Sequence, residues 1–112
     1  MGTLVIRKVG DVTIVKMPSV IDSNSADDVG AVLLNEIKTG ISKLVCDFTS
    51  NTYVSSAGLR VFMEVYNEID EKDGKMSIYG LTEIVHEIFD ITGFTEVFPI
   101  VEKEEEALMV LK

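Results

Sequence analysis

The stretch that decides the fold of this chain is Leu44-Val45-Cys46-Asp47-Phe48-Thr49-Ser50-Asn51-Thr52-Tyr53-Val54-Ser55-Ser56-Ala57-Gly58-Leu59-Arg60-Val61-Phe62. Its first five residues, mostly apolar, predict a buried strand, and apolar residues then recur at helical spacing in a predicted helix over residues 57–71. The apolar positions of that helix are Leu59, Phe62, Met63, Tyr66 and Ile69. Ser55 and Ser56 therefore stand where a helix begins, and the free N–H groups and dipole there favour negative charge, including a phosphate.

Strand and helix patterns alternate on both sides of this stretch. Strands are predicted at residues 4–8 and 12–17, joined by the hairpin turn Gly10-Asp11, and later at 76–79 and 97–100. Apolar stripes predict three further helices. The first carries Ala26, Val29, Leu33 and Ile37 and ends at Gly40. The second carries Ile84, Val85, Ile88 and Ile91 and ends at Gly93, and the last carries Ala107, Leu108 and Leu111. The alternation predicts an α/β fold with a mostly parallel central sheet, an antiparallel N-terminal edge hairpin and about four helices.

The size and charge of the chain narrow its functional class. Its 112 residues, 46% of them hydrophobic, predict a single domain over residues 1–112. The net charge of −9 disfavours nucleic acid and anionic membranes as partners and favours a protein with a basic rim. The lone Cys46 lies in an apolar run, which predicts a buried thiol in a reducing compartment. No apolar run could span a bilayer and residues 1–8 lack a signal peptide, so we expect a soluble cytoplasmic protein.

Catalytic chemistry is weakly supported by the residues. The two serines lack the Gly-x-Ser-x-Gly pattern of a hydrolase nucleophile, and His86 is the only histidine that could act as a base. Metal-ligand spacing and a glycine-rich phosphate loop are also missing from the sequence, so no cofactor is expected. We expect Asp47 to tie down the loop that carries the serines. The serines themselves have a structural alternative, because either of them could simply cap the helix.

Three blocks of the sequence resemble the STAS domain, and in particular the small bacterial anti-sigma factor antagonists. The central block is the stretch quoted above, through Phe62. The others are Val20-Ile21-Asp22 followed by Ala26, and Ile88-Phe89-Asp90-Ile91-Thr92-Gly93-Phe94. Their order and separation extend the resemblance over nearly the whole chain.

The resemblance implies a protein that is switched by phosphorylation. The family's phosphorylated residue falls two places before a glycine, which points to Ser56 ahead of Gly58. Ser55 takes a place where many members carry Asp, and Ala57 replaces a frequent Ser or Thr. A partner-binding role is predicted for Asp22, Ser23, Asn24, Ser55, Gly58 and Arg60.

The partners implied by the resemblance are an anti-sigma factor with serine kinase activity and a serine phosphatase. In its unphosphorylated form the chain would bind the anti-sigma factor and release a sigma factor, without acting as an enzyme itself. The alternative is a STAS interaction module that works as a scaffold in a signalling assembly and is not phosphorylated.

Overall fold

The computed structural model describes residues 4–112, and its elements alternate along the chain as predicted. The strands are β1 (Val5–Val9), β2 (Val12–Lys16), β3 (Val20–Ile21), β4 (Lys43–Asp47), β5 (Tyr53–Val54), β6 (Lys75–Tyr79) and β7 (Ile100–Val101). The helices are α1 (Ala26–Lys38), α2 (Ser56–Glu71), α3 (Glu83–Ile91) and α4 (Glu104–Met109), with a 3-10 turn at Phe94–Glu96. Residues 1–3 of the predicted 1–112 domain lie outside the described residues.

The central sheet has the order β1-β2-β4-β6-β7. β1 pairs with β2 in antiparallel fashion, through a turn in which Gly10 has a φ of 62°, and the remaining pairs of this sheet are parallel. This confirms the predicted fold class, including the antiparallel edge hairpin. The second sheet, a parallel pair of β3 and β5, was not predicted.

The helices cover both faces of the central sheet. α1, α2 and α3 pack on the face formed by residues such as Leu44, Cys46 and Ile78. α4 covers the other face, where Ala107 and Leu111 meet residues of β2, β4 and β6. Burial raises the pKa of the Cys46 thiol, so this side chain behaves as an apolar core residue, as predicted. Among the helices of residues 4–112, none is long and apolar enough to cross a membrane.

The last predicted strand is displaced along the chain. It was expected at residues 97–100, whereas β7 comprises only Ile100 and Val101. The cause is local: the 3-10 turn ends just before Val97, and Pro99 has no N–H to donate to a ladder. The Pro99 carbonyl still accepts a hydrogen bond from the Ile78 N–H at 3.0 Å, so pairing with β6 begins there.

The predicted apolar stripe of α3 is also wrong in part. Val85 is buried, but Ile84 and Ile91 are 66% and 80% exposed, and the second core residue of this helix is Phe89. The Phe89 ring contacts the rings of Phe48, Phe94 and Phe98, at centroid distances of 5.8 to 6.4 Å. This aromatic contact fixes the rotation of the helix. The stripes predicted for α1 and most of that for α2 are buried, which confirms them.

Candidate functional site

The two serines at the start of α2 have different structural roles. Ser55 is the N-cap residue, and its hydroxyl oxygen accepts a hydrogen bond from the Gly58 N–H at 3.2 Å. Ser56 is the first helical residue and is exposed. No hydrogen bond described for residues 4–112 engages the Ser56 hydroxyl. Capping therefore accounts for Ser55 and leaves the Ser56 oxygen accessible at the positive end of a 16-residue helix.

The short β3–β5 pair joins the loop that holds Asp22 to the start of α2. Val20 pairs with Tyr53 and Ile21 with Val54, and the Ser55 N–H then donates to the Ile21 carbonyl at 2.8 Å. Asp22 directly follows Ile21, so the parallel register places it beside the first residues of α2. The structure thus brings together the aspartate and the serines that the sequence separates by more than 30 positions.

The carboxylate of Asp22 organises its own turn. One oxygen, Oδ1, accepts hydrogen bonds from the N–H groups of Asn24 at 2.9 Å and Ser25 at 3.0 Å. The Ser25 N–H, followed by that of Asn24, holds the pKa of Asp22 below its ordinary value, because both bonds favour the ionised form. Asp22 is therefore a negative charge held in place in the turn that follows Ile21, whose carbonyl accepts the Ser55 N–H.

The other residues predicted to contact a partner fall into two groups. Ser23, Asn24 and Arg60 are exposed. Gly58 is buried, and a Cβ atom at this position would lie 2.8 Å from Ile21 Cγ2 and 2.9 Å from Val54 Cγ1. The glycine thus allows the first turn of α2 to lie directly on the β3–β5 pair. Its contribution to the site is close packing beneath the surface.

Two polar residues hold the loop between β4 and β5. Asp47, at the end of β4, accepts hydrogen bonds from the Thr49 N–H at 2.8 Å and the Thr49 hydroxyl at 2.6 Å. This is the structural role predicted for Asp47. Asn51, which sequence reasoning missed, is 1% exposed and donates from Nδ2 to the carbonyls of Pro18 at 2.8 Å and Tyr53 at 3.2 Å. The sequence feature that could have identified Asn51 is its position between a strand and a helix start, in a loop rich in polar residues.

Asn51→Asp is expected to destabilise the fold by about 1–3 kcal/mol, because it replaces the donating amide with an oxygen that faces two carbonyl oxygens. Urea denaturation followed by circular dichroism measures the loss. Asn67→Asp, at an exposed position of α2, is the matched control and should leave the free energy of unfolding nearly unchanged. Equal losses in the two variants would show that Asn51 does not clamp the loops.

The acidic side chains, His86 and Cys46 of the described residues are not arranged as a metal site. Among residues 4–112, no cluster of three His, Cys, Asp or Glu side chains is arranged to hold a metal ion. His86 is exposed on α3. The features assembled at the start of α2 are an accessible hydroxyl, a fixed carboxylate and a firmly held backbone, which suit recognition by another protein.

Comparison with known proteins identifies the family. The family model for the STAS domain matches residues 3–107. The chain belongs to the STAS domain family. The anti-sigma-B factor antagonist of Listeria monocytogenes is 30% identical to this STAS domain over 87 residues, which are 77% of this chain and 75% of that protein. The resemblance predicted from the three sequence blocks is thereby confirmed.

Solved structures share the fold of this STAS domain. An anti-sigma factor antagonist from Mycobacterium paratuberculosis superposes with a TM-score of 0.89 at 18% identity, over 97% of this chain and 92% of that one. The Bacillus cell fate determinant SpoIIAA in its phosphorylated form superposes with a TM-score of 0.75 at 14% identity, over 98% of this chain and 100% of that one. At these identities the likeness establishes a common architecture.

Proposed function

We propose that this STAS domain is an anti-sigma factor antagonist that phosphorylation of Ser56 switches off. Unphosphorylated, it binds an anti-sigma factor that is also a serine kinase, and the sigma factor is released to activate transcription. The observation that carries the proposal is the accessible Ser56 hydroxyl beside a separate N-cap residue. Support also comes from the Listeria relative, which is named as an anti-sigma-B factor antagonist, and from the existence of a phosphorylated form of SpoIIAA.

The location of Ser56 allows a phosphate to be added without unfolding the helix. A phosphoserine carries about −1.5 to −2 charges, which the N–H groups and dipole of a helix start accommodate. Because Ser55 already provides the cap, modification of Ser56 leaves the bond from Gly58 N–H intact. The phosphate therefore changes the docking surface and leaves the core as it was.

The STAS domain contributes only the acceptor oxygen to the phosphoryl transfer. The Ser56 hydroxyl attacks the γ-phosphorus of ATP, its proton passes to a base of the kinase, and ADP leaves. Nucleotide, magnesium and base belong to the kinase, since phosphoryl transfer requires these groups to be positioned together. A serine phosphatase restores the hydroxyl.

Phosphate incorporation is expected to survive Ser55→Ala and to disappear in Ser56→Ala. The reason is that the Ser55 oxygen is engaged in the cap while that of Ser56 is accessible. The measurement is intact mass and peptide mapping after incubation with ATP, magnesium and candidate kinase anti-sigma factors from the source genome. Phosphate on Ser55 would contradict the assignment. Binding of the anti-sigma factor with no phosphate on either serine would instead favour the scaffold module.

A further inference from the structure

Helix α3 presents an apolar stripe to solvent. Ile91 and Ile84 are 80% and 66% exposed, and Ile88, between them, is only partly buried. At helical spacing these three residues, hereafter the isoleucine stripe, lie on one side of the helix, away from the buried Val85 and Phe89. Large apolar side chains that are exposed together and in line usually mark a contact surface for another molecule.

A row of acidic residues runs along the same helix beside the isoleucine stripe. Glu83, Glu87 and Asp90 are exposed, and they form one wall of an open groove of about 870 Å³ between α3 and the start of α4. The other lining residues are Leu81, His86, Ile100, Val101, Glu102 and Glu106, so the isoleucine stripe lies outside the groove, on the other side of the acidic row. Of the three ion pairs described for residues 4–112, none involves these five acidic groups.

We propose that the isoleucine stripe and its acidic row bind an amphipathic helix of a partner protein, apolar on one side and rich in lysine or arginine on the other. The apolar side would cover the isoleucines while the basic side meets Glu83, Glu87 and Asp90. Recognition of this kind pairs two helices side by side: apolar anchors spaced three or four residues apart give affinity, and flanking charges give orientation.

Charge favours a basic partner helix over a second copy of the chain and over an anionic membrane. A second copy of the chain would bring one acidic row close to another, and the net charge of −9 adds to that repulsion. An anionic membrane surface is repelled for the same reason. A basic partner helix is the occupant that satisfies both the apolar and the acidic residues.

The test uses a fluorescein-labelled amphipathic helical peptide of leucine and lysine, titrated with the full chain at physiological salt and followed by anisotropy. The double variant Ile84→Ser/Ile91→Ser is expected to weaken binding about tenfold or more, as loss of central anchors does. The matched control is Met109→Ser/Val110→Ser, which removes two exposed apolar side chains from the region of α4. Equal weakening by the control would overturn the proposal.

Charge reversal separates specific docking from general attraction to an acidic protein. Glu87→Lys is expected to weaken peptide binding several-fold more than Glu64→Lys, an exposed reversal on α2 that changes the net charge equally. Equal effects would overturn the proposal, as would sedimentation showing that the wild-type chain self-associates through the isoleucines. The isoleucine stripe lies on α3 and Ser56 on α2, so we expect Ser56→Asp to bind the peptide like the wild type. Loss of peptide binding in that variant would contradict the proposal that the isoleucine stripe is a site separate from Ser56.

Discussion

Ser56→Asp is expected to weaken binding of the anti-sigma factor by about five- to 150-fold, the loss that follows when one buried polar pairing worth about 1 to 3 kcal/mol is broken. Ser56→Ala should bind like the wild type. A carboxylate at this position adds charge and bulk at an exposed point of the proposed docking surface. Titration calorimetry with the purified anti-sigma factor measures both affinities.

The control for this experiment places the same charge one residue earlier. Ser55→Asp keeps an N-cap acceptor for the Gly58 N–H, since aspartate caps helices about as well as serine. It should therefore leave the affinity closer to that of the wild type than Ser56→Asp does. If Ser56→Ala and Ser56→Asp bound with the same affinity, the switch would not operate through this residue.

The sequence predicted the elements that carry strong periodic signals. The stripe of Ala26, Val29, Leu33 and Ile37 could occupy only one face of a helix, and the structure buries all four. The β3–β5 pair was missed because two-residue strands contain too little pattern for a period-two signal. Its existence depends on contacts between segments far apart in the chain, such as the hydrogen bond from Ser55 N–H to the Ile21 carbonyl.

The side of α3 that faces the core could not be predicted from the sequence, for a different reason. Apolar residues lie on more than one side of this helix, so spacing alone allowed either Ile84 and Ile91 or Val85 and Phe89 to face the core. The choice is made by aromatic residues elsewhere in the chain, whose rings surround Phe89. At the site, similarly, the pattern of residues placed two serines at a helix start, and the hydrogen bond from the Gly58 N–H shows that Ser55 is the one that caps the helix.

Phe48→Ala is expected to lower the free energy of unfolding by about 3–5 kcal/mol, the usual loss for a large aromatic side chain in a close-packed core. Phe48 is fully buried immediately after β4. Its ring lies 5.3 Å from that of Phe62 on α2 and 5.8 Å from that of Phe89 on α3, measured between centroids. Removing it opens a cavity where two helices meet the sheet. Urea denaturation with a common m-value measures the change.

The matched control for this change is Phe94→Ala. Phe94 belongs to the same aromatic cluster but is only partly buried, so its removal should destabilise the fold by clearly less. If Phe48→Ala lost no more free energy of unfolding than Phe94→Ala, the role of Phe48 as the anchor of both helices would be contradicted.

The binding site should survive the loss of the Phe48 ring. Asp47 and Asn51 hold the serine-bearing loop through hydrogen bonds in which this ring takes no part. The folded fraction of Phe48→Ala should therefore retain the wild-type affinity for the anti-sigma factor. Core stability and partner recognition would then be separable in this STAS domain.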